Sequence, residues 1–87
     1  MSNQECSNAI DLVLNGNWNE AHAIVQELSS SSAKWVHAVL HKIEGDESNS
    51  RYWYNLCNIE LYESYQDTTQ ELLAIKKHLE SKLPFRK

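Results

Sequence analysis

The chain has 87 residues, 41% of them hydrophobic and 23% charged, with a net charge of −4 and a pI near 5.5. Its only basic clusters are Lys76-Lys77 and the tail Arg86-Lys87, too little for phosphate neutralisation, so nucleic acid is excluded as the expected partner. No stretch approaches the ~20 apolar residues of a membrane span, and residues 1–5 lack the basic and apolar regions of a secretory signal. The expected setting is cytoplasmic, with Cys6 and Cys57 as reduced, partly buried thiols rather than a disulfide.

Two glycines and one proline, Pro84, leave little material for the many turns that strands require. The chain is therefore expected to be all-α, one domain over residues 1–87, with about five helices. Ser2 and Glu5 have capping-box spacing, which starts a first helix near Asn3. Cys6, Ala9, Ile10, Val13 and Leu14 give it one apolar face, and Gly16 supplies the left-handed residue that ends it. Asn17 and Glu20 then cap a second helix that opens on Trp18 and buries Ala21, Ile24, Val25 and Leu28. So short a joint folds the two helices back on each other.

The serines at 29–32 read as a loop ending in an N-cap. A third helix follows from about Ala33 to Glu44, with Trp35, Val36, Val39, Leu40 and Ile43 on its inner side. Gly45 ends it, and Asp46 or Ser48 caps a fourth helix carrying Trp53, Leu56 and Cys57 inward, with Tyr52 and Tyr54 at the margins of its apolar stripe. Residues 58–66 are expected to continue the helix or form an ordered loop. Asp67 and Gln70 open a last helix with Leu72, Ile75, Leu79 and Leu83 inside and Leu73 beside them, Lys76, Lys77, His78 and Lys82 in its second half, and Pro84 as its stop.

A short pattern occurs twice: Gly16-Asn17-Trp18-Asn19-Glu20-Ala21 and Gly45-Asp46-Glu47-Ser48-Asn49-Ser50, each with a large residue four positions later, Val25 and Tyr54. It resembles the second half of a tetratricopeptide-type helical hairpin, although the spacing is shorter than the usual ~34 residues and neither unit ends in proline. The expected architecture is two such hairpins closed by the C-terminal helix. Trp18-Asn19-Glu20-Ala21-His22 and the run from Trp35 to Tyr54 also resemble a family of short bacterial helical proteins. That family shares the motif Trp-(Ile/Val)-His-Ala-x-Leu-His-(Arg/Lys)-x-Glu-Gly-Asp-x-x-Asn-(Ala/Ser)-x-Tyr-Trp-Tyr. The likeness spans residues 15–54. Beyond Tyr54 the family continues with basic residues and Ala-Gly, whereas this chain has Asn55-Leu56-Cys57-Asn58. The resemblance implies a fold and no activity.

His37, His41 and Glu44 stand at i, i+4 and i+7 of the third helix, within an arc of roughly 60°. Histidines four apart share a helix face and can share a metal ion, with Glu44 as a further ligand one turn on. His22, on the edge of the second helix's stripe, is placed to be brought near by hairpin packing. Such a set suits zinc, nickel, copper or iron. The same histidines also serve as helix–helix hydrogen-bond partners, the commoner use of a His at a stripe margin. Ala38 follows His37, so the HExxH metalloprotease motif is missing, as are phosphate loops and GxSxG.

Trp35, Tyr52, Trp53 and Tyr54 read either as a hairpin core or as an aromatic surface for a partner peptide or a second copy of the chain. Two functions follow. The first is a non-catalytic interaction or scaffold module, working through these aromatics, with no required cofactor and with a homodimer or a peptide as partner. The alternative is binding of a divalent transition metal by His37, His41 and Glu44 with His22.

Overall fold

The computed structural model describes residues 2–80, so the expected roles of Lys82, Leu83 and Pro84 lie outside the described residues. The chain is all-α: α1 (Ser2–Leu14), α2 (Trp18–Val25), α3 (Ser31–Ile43), α4 (Glu47–Cys57) and α5 (Thr68–Glu80), with no strand among the described residues.

The helix ends follow from local chemistry. Gly16 and Gly45 share the same left-handed φ of 85°. At each the chain closes with the same pair of bonds: Gly16 N–H to Val13 O with Asn17 N–H to Leu12 O, and Gly45 N–H to Lys42 O with Asp46 N–H to His41 O. This is the Schellman ending, which satisfies carbonyls a helix terminus leaves open. The next helix starts at once, so α1 packs on α2 and α3 on α4. Ser30 caps α3 by accepting from Ala33 N–H, Asp46 caps α4 through Asn49 N–H, and Asp67 accepts from Thr69 and Gln70 N–H at α5. Asn17 sits at the N-cap of α2, but its side chain makes no capping bond, contrary to the expected capping box.

α3 is the hub, because each of the other four helices packs against it. Its buried residues therefore extend well beyond one stripe, to Ala33, Trp35, Val36, His37, Ala38, Val39, Leu40 and His41, while Ile43 is exposed. The core between the helices joins Cys6, Ala9 and Ile10 of α1 to Ala21 and Val25 of α2 and to Leu72, Ile75 and Leu79 of α5. Ser50, fully buried, lets α4 approach α3 closely and donates its hydroxyl to Ala38 O at 2.6 Å. Both cysteines are buried free thiols.

α4 ends at Asn58, which takes a left-handed conformation, and of the two expectations for the residues that follow, further helix or an ordered loop, the loop is what forms. Other expectations change. Leu56 points outward and is 45% exposed, while Tyr54 turns inward. Leu14 is also largely outside the core. No helix among the described residues is long and apolar enough to cross a membrane.

Candidate metal centre

The histidine row on α3 is covered from two sides. α4 lays Trp53 flat on His37, with ring centroids 3.9 Å apart and planes 12° from parallel. α2 brings His22 edge-on to both His37 and His41, at centroid distances of 4.7 and 5.4 Å. Trp18, one turn before His22, stacks on it at 5.0 Å and fixes itself to α3 by donating its indole N–H to Leu40 O at 2.8 Å. The Gly16 corner makes this meeting possible, because it turns α2 back immediately after α1 ends.

One nitrogen from each of His22, His37 and His41 lies within 4.8 Å of the others. A tetrahedral zinc with Zn–N bonds of ~2.0–2.1 Å needs its nitrogens roughly 3.4 Å apart, a separation that falls within this limit. His37 and His41 are buried and His22 is half-buried. Burial, reinforced by the neighbouring His22 and His41, pushes His37 down to about 4. Burial also lowers His22, helped by His41 and opposed by Glu44. Neutral imidazole is the form that binds metal.

Glu44, the expected ligand beside His37 and His41, lies outside the trio of histidines; its Oε1 is 2.5 Å from His41 Nδ1, and with His41 and Asp46 it forms a second group of possible ligands. With the Nδ1 hydrogen donated to this carboxylate in the neutral ring, Nε2 would carry the lone pair. Metal-bound histidines are oriented and made more basic in this way.

The aromatic set separates into two groups. Tyr52 is 56% exposed and Trp53 half-buried, so these two reach the surface. Trp35 and Tyr54 are 4% and 3% exposed and are not part of any surface. Both are drawn inward by a residue that sequence reasoning missed, Glu71 of α5, itself fully buried. Its carboxylate accepts from Trp35 Nε1 at 2.8 Å, Tyr54 OH at 2.6 Å and Lys42 Nζ at 2.8 Å. A buried carboxylate survives only when paired and hydrogen-bonded, and here three donors do so. Burial, together with Glu71, holds the Tyr54 hydroxyl well above the usual phenol range. Lys42 also donates to Tyr65 O and lies over the rings of Tyr54 and Tyr62, which fastens the 58–67 connection to α3. One signal pointed to Glu71: it shares the inner phase of α5 with Ile75 and Leu79, where a charge demands a partner.

The chain matches no family model, and no curated protein or solved structure is significantly similar to it.

Proposed function

We propose that this protein binds one divalent transition-metal ion through His22, His37 and His41, with Glu44 orienting His41. The observation that carries this reading is the convergence of three imidazole nitrogens, contributed by two helices, within 4.8 Å of one another. The lowered proton affinity of His37 and His22 supports it, since neither must shed a proton near neutral pH before binding. An all-nitrogen set favours zinc, nickel, cobalt or copper over calcium and magnesium, which prefer oxygen. Isothermal titration with zinc, nickel and cobalt tests it: one ion per chain is expected, together with a raised melting temperature. No heat and no thermal shift with any of them would discard the reading.

A second reading, interaction through α4, is favoured by the packing of that helix. α4 packs along α3, reaches α5 through the Tyr54–Glu71 hydrogen bond, and leaves Tyr52 and Leu56 exposed. The α1–α2 and α3–α4 pairs, with their matching glycine corners, suit a tetratricopeptide-like stack, and the likeness of residues 15–54 to the short bacterial helical proteins belongs to the same reading. In such a stack the next pair would cover α4, and a second copy of the chain is the simplest supplier of one. Light scattering of the wild type and of Tyr52→Glu tests this. A monomer at high concentration in both would remove it.

A further inference from the structure

Among the described residues no fourth His, Cys, Asp or Glu joins His22, His37 and His41 within 4.8 Å. Zinc sites that serve only structure are closed by four protein ligands, whereas three ligands leave a tetrahedral position to water or to an incoming donor. The thiols that would close the site are spent elsewhere. Cys6 belongs to the apolar core, and Cys57 points its Sγ at Tyr54 O, 3.4 Å away.

The three histidines also differ in how firmly they are held. His37 and His41 lie one turn apart on the most enclosed helix, the first stacked under Trp53 and the second braced by Glu44. His22 sits on the eight-residue α2, half-buried, at the margin of the cluster. It is the ligand that solvent reaches first.

Resting on the metal reading above, we propose that the centre is a transfer site, which hands its ion to a nitrogen or sulfur donor of a partner by associative exchange at the open position. The incoming lone pair binds the metal, displacing water. The bond to His22 then breaks, followed by those to His37 and His41. The ion keeps its 2+ charge throughout, the imidazoles leave neutral, and an incoming thiol loses its proton to solvent. A short, half-buried α2 is suited to letting go first without opening the core under α3.

The test uses the full chain loaded with one equivalent of zinc, with binding first measured by titration. The loaded protein is then mixed with increasing 4-(2-pyridylazo)resorcinol, and the coloured zinc complex is followed in a stopped-flow instrument. A transfer rate that rises in proportion to the dye concentration is the expected result. A rate independent of the dye would overturn transfer while leaving the metal reading intact, and a failure to bind zinc at all would remove both. His22→Ala, which retains the His37/His41 pair, is expected to speed exchange about tenfold or more, the scale on which lost ligand support weakens metal sites. An unchanged rate in that variant would overturn His22 as the first ligand released.

Discussion

The imidazole of His37 lies face to face with the indole of Trp53, 3.9 Å between centroids, while His22 is stacked in the same manner on Trp18 at 5.0 Å. Two of the three indoles therefore touch the proposed ligands, and the third, Trp35, is bound to Glu71 on another side of α3. A paramagnetic ion held by these histidines quenches the indoles in contact with them. Copper(II) at one equivalent is expected to remove most of the tryptophan emission, and Trp18→Phe/Trp53→Phe should lose that response. Emission unmoved by copper in the wild type would argue against an ion at this position.

The low proton affinity of His37 links stability to pH. Its value falls from 6.5 in the unfolded chain to about 4 in the folded one, so between those limits the unfolded state binds more protons. Stability is then full above about pH 6.5, declines as pH falls, and levels off near 4. Over that window His37 contributes up to roughly 3 kcal/mol. Urea unfolding measured at steps from pH 7 to 4 checks this, with His37→Gln expected to flatten part of the slope. An identical slope in the variant would locate the proton elsewhere.

Glu44 acts on the centre through His41. Glu44→Gln keeps the shape but weakens the hold on Nδ1, and zinc affinity is expected to drop about 10- to 100-fold. The fold should be little affected, because the Glu44 side chain is 42% exposed. Competition against a chelator of known affinity reads the change, and an affinity equal to the wild type would remove Glu44 from the design.

Glu71→Ala is the severe substitution. It leaves the ammonium of Lys42 beside Tyr54 and Tyr62 without its counter-charge and takes the acceptor from Trp35 and Tyr54. Breaking one side of a buried pair costs about 3–5 kcal/mol, so a large fall in melting temperature is expected. Removing both charges in Lys42→Met/Glu71→Leu should recover part of the loss. A single variant as stable as the wild type would show that this carboxylate does not dock α5.

The five helices were legible because their boundaries are written in adjacent residues: Gly16, Gly45, Ser30, Asp46 and Asp67 each act within a turn of where they stand. The row of His37 and His41 was legible for the same reason, as helical spacing alone places both on one face. What escaped depends on contacts between distant elements. Tyr54 read as a marginal residue because nothing near it in the chain announces the carboxylate that draws its hydroxyl inward. Trp35 read as core or as a candidate surface aromatic, and nothing near it in the chain names the acceptor of its indole N–H. That Glu44 stands against His41 Nδ1, grouped with Asp46 rather than with His22 and His37, is likewise a matter of three-dimensional placement.

Trp35 and Lys42 reach Glu71 from one side of α3, while His37 and His41 face α2 and α4 from the other, roughly half a turn around. A single residue inserted or deleted between His37 and His41 would rotate one end of α3 by ~100° relative to the other. It would pull the buried carboxylate's donors out of register and split the histidine pair in the same stroke. α3 has no freedom in its length. Any tolerance for insertions must lie in connections such as 58–67, where the chain is tied by side chains rather than by helical phase.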